Sequence, residues 1–291
     1  MKWEGNRESD NVEDRRGAGG GGGFGFGGRS IGIGTIVVAL VGSYFLGVSP
    51  MTILNLLSGG GGGITAQQQA PAHATPASDR QARFVRTVLA DTEDAWDALF
   101  RAEGGTYARP KLELFSDSTS TACGRGDTAT GPFYCPADQK IYIDLSFYRL
   151  MQERFDVSGE FAQAYVIAHE VGHHVQNLTG ISGKVDKARR SATESQANAL
   201  SVRLELQADC YAGVWAFHAN QARQILEQGD IETALKAASA IGDDALQRQS
   251  QGRVVPDSFT HGTSEQRVRW FKKGIENGQV AQCNTFEARQ L

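Results

Sequence analysis

Apolar residues recur at three- and four-residue spacing at Phe161, Tyr165, Ala168, Val171 and Val175, which predicts a helix over 158–178 with Gly159 and Gly180 at its ends. A second run, 194–220, has no proline, a single glycine at Gly213, and apolar residues at Leu200, Leu204, Ala208, Tyr211 and Trp215. It reads as one long buried helix. A helix over 79–102 carries Phe84, Val88, Trp96 and Phe100, and the short runs 112–115 and 141–145 predict strands. Further on, Asp230 is expected to cap a helix reaching Ala240. Thr263 caps another that runs to Gly278, with Gln266 completing a capping-box pattern. The pattern predicts an α+β, mostly helical domain over 79–291 with a small sheet.

Ahead of that domain the periodicity disappears. Nineteen of the 35 glycines fall in the first 63 residues, in runs such as Gly19 to Gly23 and Gly59 to Gly63, a composition that cannot bury a core. Between these runs, 18 apolar or small residues from Ile31 to Val48 carry no charge, and the apolar stretch continues past Pro50 to Leu57. The expected organisation is a glycine-rich segment (1–30), one transmembrane helix (31–57), a linker (58–78) and the domain (79–291). Arg15, Arg16 and Arg29 precede the span, and no Lys or Arg occurs from Ser30 through Asp79. The positive-inside rule then puts the N-terminus in the cytoplasm and the domain outside the inner membrane, periplasmic or extracellular. The nearest small-residue cleavage pattern, Ala72-His73-Ala74, lies far past the apolar run, so the anchor is expected to be uncleaved.

A net charge of −4 and a pI near 5.9 lack the basic stripe that nucleic acid requires. No glycine run ends in the Lys-Ser/Thr of a phosphate loop. Four cysteines in an oxidising compartment imply disulfides, for which three pairings exist. Cys123 with Cys135 is the simplest, across a short loop, and leaves Cys210 to tie its helix to the C-terminus at Cys283.

The chemistry is concentrated in Ala168-His169-Glu170-Val171-Gly172-His173. On a helix, His169 and His173 lie one turn apart on the same face and can hold one zinc ion, while Glu170 sits beside the metal without binding it. A carboxylate there can take a proton from an attacking water. The elongated pattern with a third histidine is excluded, because Gln176 and Thr179 occupy the glycine and last-histidine positions. His174 points about 100° away from His173 and is left out. His73 reads as a linker residue and His218 as a helix-surface residue. His261, in a turn-rich segment, is a candidate donor to the oxyanion of a tetrahedral intermediate. Arg267 and Arg269 are alternatives for that role.

Downstream, Glu205 and Asp209 share a helix face within Arg203 to Cys210. The pattern resembles the thermolysin-like zinc peptidases, which take their third ligand from a glutamate on a second helix and use an aspartate one turn later to hold a ligand histidine. That resemblance implies Glu205 as third ligand and Asp209 as acceptor from the outer nitrogen of His169. It also implies that the strand at 140–145 is an edge that pairs with an extended substrate, against the plainer reading of an ordinary sheet strand.

Nearly the whole chain also resembles the bacterial membrane-anchored neutral zinc metallopeptidases of the YpfJ type. The likeness is carried by Lys2 to Gly17, Gly131-Pro132-Phe133-Tyr134-Cys135-Pro136-Ala137-Asp138, Ala164 to Gln176, and Phe259-Thr260-His261-Gly262-Thr263-Ser264. It implies a zincin-like domain with two zinc-binding helices, a Zn2+ cofactor and a protein or peptide substrate. Two competing functions use the same residues: a zinc amidase acting on cell-wall peptides, and a membrane-tethered binding protein with a structural zinc. Glu170 argues against the second, because structural sites are closed by four protein ligands and gain nothing from an adjacent base.

Overall fold

The computed structural model describes residues 1–16, 78–128, 131–251 and 253–291. In chain order its elements are β1 (Val12–Asp14), α1 (Arg80–Ala102), β2 (Lys111–Phe115), β3 (Ser118–Thr121), β4 (Gly124–Asp127), β5 (Phe133–Cys135) and β6 (Lys140–Asp144). There follow α2 (Ser146–Phe155), α3 (Glu160–Leu178), α4 (Ile181–Arg189), α5 (Glu194–Arg223), α6 (Asp230–Ala240), α7 (Asp243–Gln251) and α8 (Ser264–Asn277). The fold is mostly helical α+β with a small mixed sheet.

Helix ends follow local chemistry. Asp79 caps α1 by accepting from the Ala82 N–H at 3.0 Å. Thr193 and Thr263 form capping boxes with Gln196 and Gln266 at the starts of α5 and α8. Asp230 differs from expectation. It is the first residue of α6, with Gly229 at the cap, and its carboxylate accepts from the Glu227 N–H at 2.8 Å.

The sheet has the order β1-β2-β6-β5, parallel except for the antiparallel β5–β6 pair, and β3 and β4 form a separate hairpin. Leu112 and Leu114 of β2 pair in register with Ile141 and Ile143 of β6, and all four are buried in the main core. β6 is thus flanked on both sides. Of the two readings of 140–145, the ordinary sheet strand holds and the substrate-pairing edge does not: this is an interior strand, and β1 and β5 take the edges among the described residues.

The first residues pack on the domain. Val12, Glu13 and Asp14 pair with Leu112, Glu113 and Leu114, and the Lys2 N–H donates to the Ile225 carbonyl at 2.8 Å. Residues 1–16 therefore belong to the same compact unit as 79–291. The expected span at 31–57 and linker at 58–78 fall, but for residue 78, outside the described residues. No helix among the described residues is long and apolar enough to cross a membrane.

Helix α3 is buried almost all round and packs against α1, α5 and α6. Helix α8 crosses α5 where both are glycine. A Cβ on Gly274 would lie 2.0 Å from the Cys210 carbonyl oxygen, and one on Gly213 would lie 2.2 Å from that of Phe271. Both expected disulfides are present, Cys123–Cys135 and Cys210–Cys283. They indicate an extracytoplasmic domain.

Candidate metal centre

Helices α3 and α5 approach most closely where the candidate ligands sit. A Cβ on Gly172 would meet the Ala208 carbonyl oxygen at 3.0 Å and the Ala208 Cα at 3.1 Å, so the glycine between Val171 and His173 lets α3 reach the α5 backbone between Glu205 and Asp209. Across this contact His169 Nε2 lies 3.2 Å from Glu205 Oε2, and His173 Nε2 lies 3.4 Å from Glu205 Oε1. Donors around a tetrahedral zinc with bonds of 2.0–2.1 Å are separated by about 3.3 Å. One ligand atom from each residue falls within 4.8 Å of the others, so the set fits a single zinc ion. The side chains of His173 and Glu205 keep 16% and 18% of their surface exposed, which leaves one side of the cluster open.

Each ligand histidine has an acceptor for its outer nitrogen. His169 Nδ1 donates to Asp209 Oδ1 at 2.8 Å, and His173 Nδ1 donates to Gln176 Oε1 at 2.9 Å. Both bonds turn the Nε2 lone pairs toward Glu205. Gln176 is fixed in turn, donating to the Leu204 carbonyl at 2.7 Å and to Gln207 Oε1 at 3.1 Å.

Asp209 is fully buried and collects three side chains. The Tyr165 hydroxyl donates to Oδ1 at 2.5 Å, while Arg267 donates from Nη2 to Oδ1 and from Nε to Oδ2, both at 2.9 Å. Burial alone would raise the Asp209 pKa; Arg267 and His169 outweigh it and hold the group at about 2. Burial likewise opposes the charged form of His169, yet Asp209 and Glu205 lift it to about 10. For Glu205 the two histidines overcome burial and push the carboxyl well below its usual range. Glu170 is the opposite case, since burial dominates and raises its carboxyl above the usual range.

His261 is half exposed and anchored by Asp243. The Asp243 carboxylate accepts from the backbone N–H of Thr260, His261 and Gly262 at 2.6–3.0 Å and from His261 Nδ1 at 3.2 Å. This bond raises the His261 pKa ahead of the opposing burial, and the Glu205 carboxylate adds to the rise. The other candidates lie elsewhere. Arg269 pairs with Glu265 and bonds the Leu291 carbonyl, and buried Arg267 pairs with Asp209. His174 is buried between the Tyr134 hydroxyl and the Ala108 carbonyl, and His218 donates to the Gly278 carbonyl. His73 is outside the described residues.

Sequence reasoning missed the contacts of Tyr165, Gln176 and Asp243, and the pairing of Arg267 with Asp209. One signal was available for the arginine: it shares the buried stripe of α8 with Trp270, Phe271 and Gly274, where an unpaired charge is costly. Asp243 had none, because its partners are 17–19 residues away in a loop.

Residues 1–286 match the family described as "Putative neutral zinc metallopeptidase". "Uncharacterized protein YpfJ" of Escherichia coli K12 is 53% identical over 291 residues, covering 98% of this chain and 99% of the relative. "Uncharacterized protein Rv2575" of Mycobacterium tuberculosis is 42% identical over 219 residues, covering 72% of this chain and 73% of the relative. No solved structure gave a significant match.

Proposed function

Because this chain belongs to the neutral zinc metallopeptidase family, we propose that it is a zinc-dependent endopeptidase acting on protein or peptide substrates outside the cytoplasm. The observation that supports this most directly is the convergence of His169, His173 and Glu205 within 4.8 Å, with Glu170 next to the first ligand on the same helix. Zinc held by these three residues supplies Lewis acidity, lowering the pKa of a bound water to about 7 and polarising a carbonyl.

The chain's own groups do the rest. Glu170, its carboxyl raised by burial, accepts a proton from the attacking water and returns it to the leaving amine. His261, held by Asp243, donates a hydrogen bond to the oxyanion that develops on the substrate carbonyl. Asp209 and Gln176 fix the ring orientation of the two histidines, so no reorganisation is needed as charge moves.

The test is cleavage of an unstructured protein by the detergent-solubilised full chain, compared with Glu170→Gln and with a chelator-treated sample. Cleavage by the native chain alone, with about one zinc retained by Glu170→Gln, is the expected result. Zinc-loaded native protein that leaves every unstructured and peptide substrate intact overturns the proposal.

A further inference from the structure

We propose that Arg267 is a positioning residue for the metal centre, acting through Asp209 to hold His169 in its zinc-ready orientation, and that it also ties the centre to the His261 loop. This rests on the peptidase reading above. Arg267 is 2% exposed and contacts none of the three candidate ligand atoms that face the ion site; its guanidinium grips both oxygens of Asp209 from one side, at 2.9 Å each. A two-point bond from a planar fork fixes the plane of a carboxylate as well as its position. With the carboxylate plane fixed, Asp209 Oδ1 accepts from the Tyr165 hydroxyl at 2.5 Å and from His169 Nδ1–H at 2.8 Å, and the ring's Nε2 lone pair is aimed at Glu205.

The third donor of the fork reaches further. Arg267 Nη1 donates to the Ile241 carbonyl at 3.3 Å, two residues before Asp243, whose carboxylate gathers the Thr260–Gly262 backbone and the His261 ring. One side chain on α8 therefore connects the α3–α5 metal ligands with the turn that carries the fourth functional group. Its delivery depends on the Gly213–Gly274 contact, which brings α8 against α5.

The alternative is that Arg267 merely neutralises a buried acid and stabilises the fold. A double-mutant cycle separates the two. The full chain and its Arg267→Met, Asp209→Asn, Arg267→Met/Asp209→Asn and Arg267→Lys forms are titrated with zinc against a chromophoric chelator, with thermal unfolding of the apo forms recorded in parallel. Loss of partners that orient a ligand typically weakens metal binding about 10–100-fold. Arg267→Met is expected to fall in that range, Arg267→Lys to recover part of the loss, and the double variant to match Asp209→Asn alone. Folded variants whose zinc affinity equals that of the native chain, or an arginine effect that persists undiminished in the Asp209→Asn background, overturn the inference. Failure of the native chain to bind zinc would instead refute the peptidase reading.

Discussion

Trp3→Ala tests the incorporation of the N-terminal residues into the domain. Trp3 is 2% exposed and stands edge-on to Phe84 with ring centroids 5.4 Å apart, under the Arg80 guanidinium at 5.0 Å. Truncating a buried tryptophan costs about 3–5 kcal/mol. For a domain of this size each kcal/mol moves the thermal midpoint by about 2–4 °C, so the expected fall is about 6–20 °C. The loss propagates, because Trp3 anchors the segment that satisfies Glu93 in the core. That fully buried carboxylate accepts from Ser9 Oγ at 2.6 Å, Asn11 Nδ2 at 2.7 Å and Arg7 Nη2 at 2.9 Å. If the segment undocks, Glu93 loses these three donors and keeps Arg109 at 3.7 Å, which adds to the loss. The assay is thermal unfolding of the oxidised full chain, with Val254→Ala, at a residue 37% exposed, as control. A midpoint for Trp3→Ala within about 2 °C of that control would refute the docking of residues 1–16, since about 1 kcal/mol is the most that shift allows.

Four further outcomes follow from the same structure. All four cysteines are in disulfides, so a thiol introduced by Asp10→Cys is a unique probe; a membrane-impermeant maleimide is expected to label it together with Ser191→Cys, and labelling of Ser191→Cys alone would separate the N-terminus from the domain. Gly172→Ala places a methyl 3.0 Å from the Ala208 carbonyl oxygen and pushes α3 from α5, so zinc affinity is expected to drop with little change in helix content by circular dichroism. Replacing Cys210 and Cys283 by serine opens a 73-residue loop and is expected to cost about 4 kcal/mol in chemical denaturation, against about 3 for the 12-residue Cys123–Cys135 loop; equal losses would contradict the loop-entropy account. For His261, the pKa raised by Asp243 makes a stability contribution that is complete below the unfolded value of about 6.5 and fades as pH climbs through the higher folded value, so thermal midpoints of the native chain are expected to fall more steeply above that pH than those of His261→Gln; parallel curves would exclude a charged pair.

The legible parts of this chain were those set by near neighbours in sequence. Helix α3 announced itself because its apolar spacing and its ligand spacing share one period, so His169 and His173 occupy the same face whichever pattern is read first. Glu205 and Asp209 came from a family resemblance rather than from the residues, since two acids on a helix carry no mark of what they face. The contacts that complete the centre span long separations: Arg267 meets Asp209 across 58 residues, and Asp243 meets His261 across 18. Strand β6 was read correctly as a strand, and the choice between edge and ordinary sheet strand stayed open, because an apolar run reports burial but not the number of neighbours. Its partner β5, Phe133-Tyr134-Cys135, is too short to produce an alternating signal.

The N-terminal charges have partners that the sequence does not announce. The positive-inside argument counts arginines as free charges facing the cytoplasm, and two of the three counted here are paired within the domain. Arg15 lies 3.1 Å from Glu13 and 3.2 Å from Glu113, and Arg16 pairs with Asp14 at 2.5 Å and with Asp79 at 2.8 Å. Val12-Glu13-Asp14 shows no apolar alternation because β1 is held through its backbone against β2 and through these ion pairs.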